Sequence, residues 1–305
     1  MSGNAAISFV KEIKEKGLEV PKMQISAFGG LNFATAFDEV PTTIMANDVA
    51  AGVDYDVAMS VTKALVEYFE RKVFVEGVQS KNPLCARTHS DGIAAFPIAQ
   101  TNSHAFARAN AYAEALERYA WAKWWDESTT GFLITPFDQS RFWQDPKMKV
   151  LLKKFDEIVP LDSLKVIELF TSDKGHSVLI LFAEVKGNGY ISGGAAGLIG
   201  QQEKTILRGL SELIRHGLAL NKFIKLKQSP STFYEERLLY FGLGKGNNLV
   251  QERLSQQTNE ILNLPDLEID AEITSKKFNQ LIVTHRCLFQ NQPPFVDGKL
   301  ERLCL

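Results

Sequence analysis

An α+β fold in a single domain is predicted by three features of this 305-residue chain. A stretch from His104 to Trp125, HAFARANAYAEALERYAWAKWW, repeats its alanines and aromatics on a helical period with hardly any polar face, the mark of a helix packed on most sides. Two apolar runs, Val166 to Thr171 and Val178 to Val185, flank SDKGH as the arms of a β-hairpin. No Gly/Ser-rich or Pro-rich linker cuts the chain.

Taken in order, residues 5 to 17 have the spacing of a short amphipathic helix stopped by Gly17. Strand-like runs follow at Met23 to Phe37, with the Gly29-Gly30 turn inside, and at Thr42 to Val49. A helix is expected from Asp54 or Asp56 through VAMSVTKALVEYFERKVF. Its core face would be Val57, Val61, Leu65, Tyr68 and Phe69, with Ser60, Lys63, Glu67 and Glu70 opposite. THSDGIAAF reads as a strand or tight turn before the buried helix, which ends by Gly131. GGAAG (193 to 197) leads into a third helix, about Gln202 to Asn221. Beyond it, Phe233 to Tyr240, a glycine turn GLGKG, a helix near 249 to 262 and strands at Glu268 to Thr274 and Gln280 to Gln290 point to a β-rich C-terminal part, about 221–305, after a motif-bearing core at about 45–220.

Composition narrows the function classes. A net charge of −2 and pI near 6.3 give no general field for nucleic acid or an anionic membrane, and no run of about 18 apolar residues exists to span one. Three scattered cysteines, Cys85, Cys287 and Cys304, match neither a disulfide framework nor a CxxC metal pattern, and the N-terminal stretch lacks an apolar signal core; a reducing, cytoplasmic setting is expected. The five histidines show no metal-ligand spacing, and no local pattern supports a Cys-His nucleophile.

The chemistry-bearing signal is an internal echo. ALVEYFER (64 to 71) and AYAEALER (111 to 118) share Ala, Glu, Glu and Arg at identical offsets, and GLSELIRH (209 to 216) repeats the first glutamate as Glu212. Glutamates three apart project from one side of a helix, so Glu67 with Glu70 and Glu114 with Glu117 each make an acidic face. Two such faces brought together repel unless divalent cations fill them, and all-oxygen ligands suit Mg²⁺, which in turn holds nucleotide phosphates. A solvated face is the competing reading for Glu67 and Glu70; it is weaker for Glu114 and Glu117, whose helix is so apolar. Arg71 and Arg118 would either pair with the glutamates or grip phosphate oxygens.

These segments, in this order, resemble the ATP-site motifs of the YcaO-domain family: KALVEYFER the first, SDGIAAF with ARANAYAEALERYAW the second, GGAAGLIGQQEKTILRGLSELIRHG the third. The resemblance spans roughly residues 45 to 220, and more loosely the C-terminal THRCLFQNQPPFVDGKLER. It implies a YcaO-like fold and ATP held through Mg²⁺ on Glu67, Glu70, Glu114, Glu117 and Glu212, with Lys63, Arg71, Ser90, Asp91, Arg118 and Arg208 around the nucleotide. It also implies phosphorylation of a peptide backbone amide, towards an azoline, thioamide or amidine; a peptide or protein substrate; a sulfur-delivery or precursor-recognition partner; and a homodimer. The sequence departs from the family pattern at Lys63, Asp91, Phe96 and Ala51-Gly52-Val53, and its Lys72 to Thr88 segment is short. A subunit that binds a precursor or partner without ATP chemistry is the second expectation.

Overall fold

The computed structural model describes residues 4–38, 49–85, 91–128, 130–142, 144–185, 189–295 and 299–303. In chain order the elements are α1 (Asn4–Glu15), β1 (Lys22–Phe28), β2 (Leu31–Phe37), β3 (Ala50–Asp54), α2 (Val57–Gln79), β4 (Ile93–Pro97), α3 (Ser103–Glu127), β5 (Phe132–Pro136), α4 (Pro146–Phe155), β6 (Lys165–Leu169), β7 (His176–Glu184), β8 (Tyr190–Leu198), α5 (Gln202–Leu226), α6 (Phe233–Gly242), α7 (Asn247–Ser255), β9 (Leu267–Glu272) and β10 (Ile282–Phe289). The α+β expectation holds. The chain divides into two compact units: residues 1–112 with 267–288, and residues 113–266 with 289–305.

In the first unit, β1, β2 and β3 form an antiparallel sheet; Gly29 and Gly30, at φ +57° and +89°, supply the left-handed turn between β1 and β2. Asp56 caps α2, accepting from the N–H groups of Ala58 and Met59, so the helix starts where sequence placed it. Its buried row, Leu65, Phe69, Val73 and Phe74, joins Ala34, Ala36 and Ala50 of one sheet and Ile93, Ala95 and Ile282 of a second, ordered β4-β10-β9. Two details of the expected helix face are corrected. Val57, in the first turn, is 48% exposed, whereas Ser60 is fully buried because its hydroxyl donates to Val57 O and Gly52 of β3 packs onto its carbonyl.

In the second unit, β5, β6, β7 and β8 form an antiparallel sheet, with β6 and β7 the predicted hairpin. GGAAG, read as a lead-in to a helix, is the body of β8; its small residues let α5 lie against the sheet, because a Cβ on Gly193 would stand 2.4 Å from Gly209 O and 2.5 Å from Leu213 N. The helix of Trp121, Trp124 and Trp125 is buried through its C-terminal half, with Trp121 edge-on to Phe295 and Trp124 to Phe132. Its N-terminal turns, in the first unit, are open: Phe106 is 48% exposed and stacks on Phe96. The uniform burial expected for 104–125 is corrected to that extent.

The segment 221–305 is not a β-rich part of its own. It carries α6 and α7 beside its two strands, and those strands extend β4 rather than forming a separate layer; α7 also ends at Ser255, short of the expected 262. GLGKG is a turn between α6 and α7. The expected strand at Thr42 to Val49 lies, but for Val49, outside the described residues. No helix among the described residues is long and apolar enough to cross a membrane.

Candidate functional site

In the first unit the acidic face of α2 is tied to the protein's own backbone. Glu67 Oε2 accepts the N–H of Ala51 on β3 at 3.1 Å, and Arg71, one turn on, binds its Oε1. Glu70 Oε2 accepts the N–H of Ala95 on β4 at 2.7 Å. Carboxylates that take backbone N–H groups this way brace the helix to its two sheets. Lys63 turns from both glutamates to Asp54 Oδ2 at 2.8 Å and Val53 O at 3.0 Å. Asp91 is buried at the turn before β4. Ser90 lies outside the described residues.

The second unit gathers the other predicted residues around β8. Glu117 on α3 is 4% exposed, and its Oε1 is buried without a hydrogen-bond partner, with Arg118 Nε 3.8 Å off. A Cβ on Gly194 of β8 would lie 3.1 Å from that oxygen and 2.4 Å from Trp121, so the glycine is what opens room for the carboxylate. Glu212 of α5 presses against neighbouring Gly193, and Arg208 donates to Ala196 O at 3.3 Å. Burial pushes the Glu117 carboxyl up to about 7; Arg118 opposes this, Glu212 adds to it, and Arg208 and the Ala196 N–H oppose it. Arg118 spans Glu114 and Glu117, 3.8 Å from each, with its guanidinium 4.2 Å from the Phe295 ring centre. His216, also buried, holds Ser192 O through Nδ1 at 2.6 Å, and burial pulls its pKa down to about 3.

Chemically, the cluster beside β8 sets one dry carboxylate, with an unmatched oxygen, beside a half-buried second acid, the half-buried Arg118 and the exposed Arg208. A hard divalent cation with an anionic ligand would satisfy both signs of charge at once, and the oxygen-only donors fit Mg²⁺.

Backbone similarity places the chain among known folds. YcaO from Methanopyrus kandleri, solved bound with AMPPCP and Mg²⁺, superposes with a TM-score of 0.59 at 13% identity, covering 95% of this chain and 92% of that one. The chain has the YcaO fold. A second solved structure with this likeness, the E. coli microcin synthetase McbBCD complex with pro-MccB17 bound, gives a TM-score of 0.59 at 11% identity over 88% of this chain and 87% of that one. No family model matches the chain, and no curated protein is significantly similar to it in sequence.

The YcaO-fold chain also carries groups that sequence reading missed. Asp270, His285 and Cys287 stand together in the β4-β10-β9 sheet with Arg108 on Asp270. The two-residue spacing of His285 and Cys287 on one expected strand was visible, as was a strand through Asp270; the pairing of the two strands that brings Asp270 to them was not. The buried Arg302, paired with the partly buried Asp126, ties the C-terminal segment to α3.

Proposed function

We propose that this chain is a divergent YcaO-domain protein that binds Mg-ATP and activates a backbone amide of a peptide or protein substrate. The observation that carries the reading is Glu117: a buried carboxylate oxygen without a hydrogen bond, beside Glu212, Arg118 and Arg208. In this reading Glu117, Glu114 and Glu212 hold Mg²⁺, while Arg118 and Arg208 bind phosphate oxygens. Glu67 and Glu70 are assigned to metal as well, by exchanging their backbone N–H partners for it, with Arg71, Lys63, Ser90 and Asp91 lining the nucleotide. Mg-ATP supplies a phosphoryl group that turns an inert amide oxygen into a leaving group, and a Cys, Ser or Thr side chain, sulfide or amine then displaces it. The chain's residues position and neutralise charge, the main source of catalysis in phosphoryl transfer. Assembly as a homodimer and a sulfur-delivery or precursor-recognition partner belong to the same proposal.

Calorimetric titration with a non-hydrolysable ATP analogue tests it. Wild-type chain is expected to bind only with Mg²⁺, more tightly as pH rises to about 7 because Glu117 must lose its proton, and Glu117→Gln is expected to abolish binding and ATP hydrolysis. Absence of nucleotide binding by the folded wild type would sink the reading. A second reading, a subunit that docks a precursor peptide without ATP chemistry, is favoured by the commitment of Glu67 and Glu70 to backbone N–H groups. Peptide binding without nucleotide would support it.

A further inference from the structure

Three side chains that the nucleotide reading does not use converge in the first unit. Alternation along β10 puts His285 and Cys287 on one face, and neighbouring β9 brings Asp270 to them. Their ligand atoms all lie within 4.8 Å of one another. His285 Nε2 is 2.8 Å from Asp270 Oδ1, and Cys287 Sγ is 3.5 Å from the same oxygen. Cys287 is fully buried and His285 nearly so, while the Asp270 carboxylate stands at the rim, 30% exposed.

The plain alternative is a hydrogen-bond cluster anchored by Arg108, whose Nε lies 2.9 Å from Oδ1 and 3.2 Å from Oδ2 and whose Nη2 binds Oδ2. That arrangement asks one oxygen, Oδ1, to accept from a guanidinium, an imidazole and a thiol, one donor more than its two lone pairs serve well. His285 Nδ1 is buried without a hydrogen-bond partner in either arrangement, so nothing on that side ties the ring proton to one nitrogen and Nε2 is open to serve as donor or as ligand. An ion among the three groups instead takes one lone pair from each. Ligand atoms around a tetrahedral Zn²⁺ with bonds of about 2.0–2.3 Å sit roughly 3.5 Å apart, the spacing already present between Sγ and Oδ1.

We propose that Asp270, His285 and Cys287 form a binding site for a borderline-soft divalent transition metal of the Zn²⁺ class, with its fourth position open to water on the Asp270 side. Thiolate with imidazole selects against Mg²⁺, so this site is distinct in kind from the one assigned to the nucleotide. On binding, Cys287 releases its thiol proton to solvent and its sulfur bonds the metal. His285 carries its single ring proton on Nδ1 and bonds through Nε2. Asp270 gives Oδ1 and keeps Oδ2 for Arg108, whose side chain is 57% exposed and has room to slide there.

Chelator-treated full-length chain titrated with Co²⁺ tests this. One equivalent is expected, with a thiolate-to-cobalt charge-transfer absorption displaced by Zn²⁺ and not by Mg²⁺. The band should disappear in Cys287→Ser and persist in Cys85→Ser and in Glu117→Gln, which separates this outcome from that of the nucleotide reading. Asp270→Asn, at the exposed rim and the deciding variant if Cys287→Ser does not fold, should weaken Co²⁺ binding at least about tenfold. Folded wild type that shows no such band, or a Co²⁺ affinity unchanged in Asp270→Asn, overturns the proposal.

Discussion

The helix–sheet layers of α2 on β3 and of α5 on β8 are built alike, yet the acids beside them are satisfied to different degrees. In each, a strand glycine lets an acid-bearing helix approach closely: Gly52 against Ser60 O and Ala64 N, Gly193 against Gly209 O and Leu213 N. On α2, Glu67 and Glu70 spend their charge on the backbone N–H groups of Ala51 and Ala95. Beside β8, Glu117 also takes one backbone N–H, that of Ala196, but keeps its other oxygen buried and unmatched and has Glu212 as a neighbour. A carboxylate satisfied by backbone stabilises its fold without help; one left unmatched in a dry site lowers stability until a proton or cation arrives. The same residue type is a brace in one place and a half-satisfied buried acid in the other.

The shared construction is tested by filling both glycines. A Cβ on Gly52 would meet Ser60 O at 2.0 Å and one on Gly193 would meet Gly209 O at 2.4 Å, contacts with backbone that no rotamer change relieves. Gly52→Ala and Gly193→Ala are each expected to lose about 3 kcal/mol or more in urea unfolding. A small loss at either would show that layer to be looser than its counterpart.

The electrostatic difference predicts effects of opposite sign. Folding raises the Glu117 pKa from 4.5 to about 7, so the folded chain holds a proton that the unfolded one has released, and stability falls as pH rises through that window. Glu117→Gln in ligand-free protein should therefore raise unfolding free energy by roughly 2–3 kcal/mol at pH 8, the gain vanishing near the lower bound of the window. Glu70→Ala should instead lose about 2 kcal/mol, since it strips a charge-assisted acceptor from the Ala95 N–H. If both variants destabilise equally at pH 8, the contrast between brace and unmatched charge fails.

How much of this was legible in the chain follows from the range of the interactions. Asp56 before an apolar-periodic run and Gly29-Gly30 between two strands are local signals, and the structure places each as read; the i, i+3 glutamates lie on helices as expected. The β4-β10-β9 sheet pairs Ala95 with Thr284, and no local pattern announces a partner so far along the chain. Ser60 looked polar-facing because a projected helix face cannot reveal that β3 carries a glycine against it. The acid clusters were legible as residue types, but which acids the backbone would satisfy depended on Ala51, Ala95 and Ala196, whose N–H groups carry no sequence signature.

His216 gives the smallest effect at neutral pH and separates the dry environment of the second unit from the metal question, because it is assigned no ligand role. It stands on α5 where Arg71 stands on α2, and it is kept neutral: burial, with Arg215 and Arg118 nearby, outweighs the Ser192 carbonyl and lowers its pKa from 6.5 to about 3. The unfolded chain therefore binds a proton below about pH 6.5 that the folded chain refuses, so the stability this group protects is intact above that pH and drains away as pH falls. Against His216→Gln, wild type should lose an additional amount of about 1.4 kcal/mol by pH 5.5, read from paired urea titrations between pH 7.5 and that point. Parallel curves for the two proteins would mean that water reaches the imidazole, and the dry site invoked for Glu117 one strand residue away from Ser192's neighbours would lose its physical basis.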